Sequence, residues 1–233
     1  MQARRVETLY LETSNFSRGR MMVFPDGVRR FLDAAHRNGI SVVAWYLPGF
    51  ADVRRDLRRS MRAIAFRTPY GESFDSFALD IEARLVTPVA TRNRKILELS
   101  KQIRRAAGAR YPLGAITPVW FYDWGGPFPY AGLDRWYDVF VPLIYFGSRG
   151  KGPKAARRHT IRNIDQILAG TGDATTRIHA IGGIADQLDQ LRLLVHDVRP
   201  AGQVDRRLHE HLVHRDRGVA VAGDAALVAQ RLG

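Results

Sequence analysis

The chain has 233 residues, 45% of them apolar, a formal charge of +13 and no cysteine. That length suits one barrel-sized domain or two small ones, and the apolar share is enough for a real core and excludes a disordered chain. Without cysteine neither a disulfide framework nor a thiolate metal site can form, and no run approaches about 18 unbroken apolar residues, so no membrane span is expected.

The excess of positive charge invites a nucleic-acid reading. Its make-up argues against one. Only four of the 36 basic residues are lysines (Lys95, Lys101, Lys151, Lys154), and the 32 arginines are dispersed. Arg54, Arg55, Arg58, Arg59 and Arg62 fall on one predicted helix and Arg104 and Arg105 on another, which reads as solvated helix faces. Residues 1–11 carry Arg4, Arg5 and Glu7 and lack the apolar stretch of a signal peptide, so the chain as it stands is expected in the cytoplasm, and outside it if the N-terminus is truncated.

A β-rich run followed by an amphipathic stretch recurs along the chain. The first strand is predicted at 6–11, ending in Glu12-Thr13-Ser14-Asn15, with a helix over 26–38 stopped by Gly39. The second strand covers 41–47 and its helix 52–66. The third strand covers 75–82 and its helix 89–107. The fourth strand, 113–117, leads into a Gly/Pro/aromatic loop over 118–132. The fifth strand covers 138–146 and its helix 154–168. The sixth covers 178–181, with a helix over 185–198. A weak strand at 218–223 and a closing helix at 224–232 complete the pattern.

Six to seven β-then-α units predict a parallel sheet with helices outside. No early Gly-rich phosphate loop is present, and the strands repeatedly end in polar or aromatic residues: Glu12, Tyr46, Glu82, Thr117, Tyr145 and Gly183. Barrel enzymes place their sites at those ends. The expected fold is therefore an α/β (β/α)8 TIM-type barrel, complete or short of a unit, forming one domain over 1–233. Residues 1–199 are well patterned. Residues 200–233 are divergent and lack aromatic residues. The histidines there, His209, His211 and His214, lack a carboxylate partner and read as a polar surface, so neither metal nor cofactor is expected.

On the third strand Ser76, Ala78, Asp80 and Glu82 share one face and Phe77, Leu79 and Ile81 the other. Carboxylates facing packed helices would cost several kcal/mol each, so the acids must point into the barrel mouth. Two such carboxyls lie about 6.6 Å apart at Cα, and close like charges push one pKa up. Glycoside hydrolysis needs a carboxyl held protonated beside one that stays ionised.

The same stretch resembles the chitinase motif of glycoside hydrolase family 18, Asp-x-x-Asp-x-Asp-x-Glu, with Asp75, Asp80 and Glu82 matching and Ala78 in place of an acid. Val141-Pro-Leu-Ile-Tyr145 resembles that family's Met-x-Tyr strand, with Leu143 in place of Met. The runs Val43–Pro48, Gly114–Pro118 and Ile181–Ala185 are similar to bacterial proteins described only as glycoside-hydrolase-like, and the likeness spans about 6–190. The resemblance implies a barrel in which Glu82 is the general acid/base, Asp80 orients a substrate acetamido group that acts as nucleophile, and Tyr145 hydrogen-bonds that group. The family's floor tryptophan is missing, since no tryptophan follows Trp136.

Further candidates for sugar contact are aromatic. Trp45 and Tyr46 end the second strand, and alternation lets only one of them face the mouth. Trp120 and Trp124 lie in the long loop after the fourth strand, and loops of that length are more often functional than not. Asp123 in that loop is a candidate second carboxylate for a conventional two-acid mechanism. Glu12 and Asn15 could hydrogen-bond hydroxyls or order their own loop. The segment 149–154 lacks the Gly-Lys-Ser/Thr of a phosphate loop. The leading expectation is a glycoside hydrolase acting on a polysaccharide. The alternatives are a non-catalytic carbohydrate-binding barrel and, from charge alone, a nucleic-acid-binding protein. The sequence sets no oligomeric state.

Overall fold

A computed structural model of the chain describes residues 6–119, 122–145 and 152–183. The elements run β1 (Thr8–Asn15), α1 (Pro25–Arg37), β2 (Ser41–Leu47), α2 (Val53–Ile64), β3 (Ser76–Asp80), α3 (Val89–Ala107), β4 (Leu113–Thr117), α4 (Tyr130–Leu133), β5 (Val139–Tyr145), α5 (Pro153–Thr171) and β6 (Ile181–Gly183). The elements expected at 185–198, 218–223 and 224–232, and the three C-terminal histidines, lie outside the described residues.

The strands pair in parallel and lie side by side in chain order. The two faces of the sheet are packed differently. Leu9, Leu11, Val42, Ala44, Phe77, Leu79, Leu113 and Phe140 join one cluster with helix residues such as Leu32, Ile96 and Leu99. Tyr10, Val43, Ala78, Ile116, Val141 and Ile181 form a second cluster made of strand residues alone. A doubly wound sheet carries helices on both faces and reverses its strand order. Helices on one face with strands in sequence make the wall of a (β/α) TIM-type barrel, incomplete across the described residues.

The curl of that wall is visible in one contact. Tyr10 on β1 and His179, just before β6, meet at 2.8 Å between Oη and Nδ1, with ring centroids 5.4 Å apart. In a flat sheet, strands five places apart would be separated by about 24 Å.

The local signals account for most element bounds. Asp52 caps α2 by accepting a hydrogen bond from the Arg55 backbone at 2.9 Å, which satisfies one of the donors a helix start leaves over. His36 and Arg37 in the last turn of α1 suit its negative end. On α3, Ile96, Leu99 and Ile103 recur at helical spacing and are fully buried, each contributing roughly 1.5–3 kcal/mol by leaving water.

Three expectations need correction. First, β1 does not stop at residue 11. It continues to Asn15, because Ser14 and Asn15 pair with Tyr46 and Leu47 across a bulge at Thr13, and Thr13 donates its hydroxyl to the Trp45 carbonyl at 2.9 Å. Second, β6 begins at Ile181. Ile178 makes only an isolated bridge to Phe140. Third, Arg59 is not part of a solvated face. It is 2% exposed, donates to the carbonyls of Asn15 and Arg18, and lies over the Tyr46 ring, so α2 ties down the chain that leaves β1.

Candidate active site

The inner face of the wall carries small residues in its middle and larger, polar ones at its C-terminal rim. Ala78 on β3 lies beside Gly114 on β4, and a Cβ at Gly114 would come within 3.3 Å of the Ala78 Cβ. No acid stands at position 78, and its surroundings are packed for a methyl group. Two residues on, Asp80 ends β3 beside Ile116. Ile81 still accepts pairing, its N–H donating to the Ile116 carbonyl at 2.8 Å, and Glu82 follows in a turn.

Asp80 is 6% exposed, and its Oδ1 is enclosed without a hydrogen-bond partner. Burial, followed by the charges of Glu82 and Glu12, pushes its carboxyl well above the ordinary carboxylate range. Burial also raises Glu82. The two acids therefore hold a proton at pH values where exposed carboxyls have lost theirs. Tyr145, at the end of β5 on the same inner face, is pushed up to about 12 by burial and then by the charges of Asp80 and Glu82, so it stays a neutral phenol.

Glu12 reaches this group from β1. It lies beside Trp45 on β2, which lies beside Ala78 on β3. Laterally paired residues share a face, so Glu12, Trp45 and Ala78 all look inward. The bulge then brings Asn15 to the inner side as well, next to Leu47. Asn15 donates to Glu12 Oε1 at 2.8 Å. The structure thus gathers Glu12, Asn15, Trp45, Asp80, Glu82 and Tyr145 at one end of the wall.

The other sequence candidates fall elsewhere. Tyr46 points outward, is 0% exposed, and donates its hydroxyl to Asp56 at 2.6 Å. It belongs to the packing between sheet and α2. Trp124 is also buried. Its indole donates to Asn93 at 2.9 Å, Arg92 lies 4.1 Å above its ring, and Arg92 donates to its carbonyl. Trp124 anchors the long loop on α3 and presents no open ring. Asp123 is exposed, 3.7 Å from Arg84, and accepts from the Gly125 backbone at 3.0 Å. Asp75 accepts from Val42 N–H at 2.7 Å and meets His36 at 3.0 Å, at the opposite end of β3 from Glu82. Trp120 lies outside the described residues.

Tyr122 belongs to the aromatic-rich loop legible in the sequence, but its contact with Glu82 was not evident there, nor were Tyr10 and His179. Tyr122 donates its hydroxyl to the Glu82 carbonyl at 3.0 Å and carries Arg84 over its ring at 4.8 Å, so the loop after β4 fixes the backbone of the acid. Tyr10 and His179 fill the inner face below Glu12. Tyr10 could have been found from parity, since it lies two residues before Glu12. A cleft of about 420 Å³ opens beside the same loop, lined by Tyr122, Asp123, Phe128 and Gln166 among others. Neither Asp80 nor Glu82 lines it.

No family model matches the sequence, and no curated protein matches it. Among solved structures the fold is similar to the chitinase domain of the spore coat protein CotE from Clostridium difficile, with 13% identity, a TM-score of 0.51, and coverage of 77% of this chain and 64% of that one. It is also similar to catalytic domain 2 of a Group II chitinase from Ostrinia furnacalis, solved in complex with penta-N-acetylchitooctaose, with 12% identity, a TM-score of 0.50, and coverage of 76% and 63%. The chain spans less than two thirds of either protein's length. The described residues form an incomplete (β/α) barrel whose fold is distantly similar to that of these chitinase domains.

Proposed function

We propose that the protein is a glycoside hydrolase that cleaves a polysaccharide at the C-terminal rim of the wall, with Glu82 as general acid/base and Asp80 as its partner. The observation that carries this reading is the pair of adjoining carboxyls, both shifted upward, at the end of a central strand where barrel enzymes keep their catalytic groups.

The chemistry runs through ordinary proton transfer. Protonated Glu82 gives its proton to the leaving glycosidic oxygen as the bond from the anomeric carbon to that oxygen breaks. Positive charge then develops on the sugar ring, and the acids beside it are placed to stabilise that charge. Glu82, now a carboxylate, takes a proton from the water that adds to the anomeric carbon. Trp45 offers an inward-facing aromatic surface for a sugar ring, and Tyr145, kept neutral, can donate to or accept from a substituent. Tyr122 holds the Glu82 backbone in place during both proton transfers.

The test is release of reducing ends from a panel of polysaccharides by wild type and Glu82→Gln. Turnover by wild type that drops by roughly 10²–10⁴-fold in the variant, with circular dichroism unchanged, supports the assignment. Turnover that survives the substitution overturns it. Saturable glycan binding with no turnover in wild type would establish the non-catalytic binding barrel instead.

A further inference from the structure

We propose that the cleft beside the loop after β4 is a second glycan site, which holds a neutral sugar unit of the polysaccharide outside the catalytic rim. This rests on the glycan reading above and adds a binding site to it.

The cleft exists because the outer layer is thin at this point. The helices after β1, β2, β3 and β5 have 12 to 19 residues, whereas α4 after β4 has four. The loop that leads into α4 is pinned on both sides. Towards α3, Arg92 donates to the Trp124 carbonyl, and Asn93 donates to the Pro127 carbonyl at 2.8 Å. Towards α5, Tyr130 packs so closely on Gly170 that a Cβ there would come within 2.5 Å of the ring. Between these pins lies the cleft of about 420 Å³, within the range of about 300–1,000 Å³ usual for small-molecule sites. Walls fixed before a ligand arrives leave little ordering cost to binding.

The lining sets the class of ligand. Val119, Pro127 and the half-buried rings of Tyr122 and Phe128 give apolar surface. Gln166 on α5 adds a half-buried amide, and its Oε1 is covered without a donor. The terminal torsion of glutamine is broad, so the amide can turn to a hydroxyl in the cleft and recover a hydrogen bond. Asp123 is the one charged residue in the lining, and its carboxylate is already engaged by Arg84 at 3.7 Å and the Gly125 N–H at 3.0 Å. Apolar walls, an unengaged amide and no unbalanced charge suit a neutral ring with hydroxyl groups and C–H faces. They suit neither a cation nor an anion.

Tyr122 ties the cleft to the rim. It lines the cleft and donates its hydroxyl to the Glu82 carbonyl at 3.0 Å, so one residue borders both places. A polymer, unlike a lone sugar, is long enough to engage the two. Holding it at the cleft raises its effective concentration at the rim.

The experiment is calorimetric titration of the full chain carrying Glu82→Gln, which keeps the probes intact, with the β-1,4-linked tetramers of glucose, N-acetylglucosamine and mannose. Three further substitutions are compared in that background: Gln166→Trp fills the cleft, Gln166→Ala removes the amide, and Trp45→Ala removes the rim contact. Thermal unfolding first shows each to be folded. If Gln166→Trp does not fold, Gln166→Ala carries the comparison. The expected result is that at least one tetramer binds and that Gln166→Trp abolishes one of two bound molecules or lowers the affinity roughly tenfold or more. Gln166→Ala should lower it roughly two- to tenfold, and added salt should change neither effect. Binding indifferent to both Gln166 variants overturns the proposal, and if Trp45→Ala weakens that binding the glycan reading stands. Binding of none of the tetramers overturns the proposal, and release of reducing ends then decides the glycan reading by itself. A steep fall of affinity with salt overturns the assignment to a neutral ligand.

Discussion

Asn15 donates its side-chain amide to Glu12 at 2.8 Å, although the two residues are three apart on one strand. A regular strand would send them to opposite faces. The bulge at Thr13 resets the alternation, so Glu12 pairs beside Trp45 and Asn15 beside Leu47. The same bulge therefore builds a polar pair on the inner rim, and the charge of Glu12 acts on Asp80.

Asn15→Ala removes that support. The expected cost is about 0.5–1.5 kcal/mol of stability, the usual net value of one hydrogen bond, read by urea unfolding. Weaker glycan binding should accompany it, because Glu12 loses the donor that holds it. A variant with unchanged stability would show that the pair contributes nothing to the rim.

Asp80→Asn tests the cost of the buried acid. The Asp80 carboxyl has a higher pKa folded than unfolded. Between those two values the folded state keeps a proton that the unfolded state has lost, so stability falls as pH rises. The penalty begins near the ordinary value of 3.8 and is complete once pH exceeds the raised value. The asparagine variant lacks that titration. It should be more stable than wild type at neutral pH, with an advantage that shrinks toward pH 4. Melting curves across that range check it, and an advantage independent of pH would mean that the gain has another source.

His36 gives a second pH effect of the same sign, beginning at a higher pH. Burial alone would lower its pKa, but hydrogen bonds to Glu72 and Asp75, and their charges, leave it raised above 6.5. The clamp joins α1 to the segment entering β3, where Asp75 also accepts from Val42. Its contribution is fully present below about pH 6.5 and is lost as pH rises through the raised value. Wild type should lose stability across that interval, and His36→Gln should flatten the dependence. A wild-type curve already flat from pH 6 to 9 would contradict the clamp.

The strand order, the helix positions and the inward direction of Asp80 were legible because they follow from alternation and helical spacing, which are local. The bounds of β2, α3 and β4 agree with the expected 41–47, 89–107 and 113–117 for the same reason. What lay beyond reach depended on partners distant in sequence. Thr13 reads as a turn residue until its hydroxyl is seen on the Trp45 carbonyl. Arg59 reads as solvated until the carbonyls of Asn15 and Arg18 are found beside it. Trp124 reads as a sugar platform, and only the arrival of Arg92 and Asn93 from α3 shows that the ring is spent on holding the loop.

Trp45 and Tyr46 give the sharpest separation of binding from folding, because adjacent residues of one strand serve opposite faces. Tyr46 is wholly buried against α2, where its hydroxyl donates to Asp56 and Asp56 also accepts from the Phe50 backbone at 2.9 Å. Tyr46→Phe leaves Asp56 with one donor fewer in a buried place and should cost about 1–3 kcal/mol of stability, with glycan affinity unchanged. Trp45 is half-buried on the inner face. Trp45→Ala should weaken glycan binding by roughly tenfold or more, as removal of a central aromatic contact does, while leaving the outer core intact. Urea unfolding and calorimetric titration on the two variants measure both quantities. If Tyr46→Phe lost affinity while Trp45→Ala kept it, the inward and outward faces of β2 would be exchanged, and the placement of Glu12 beside Asp80 would fall with them.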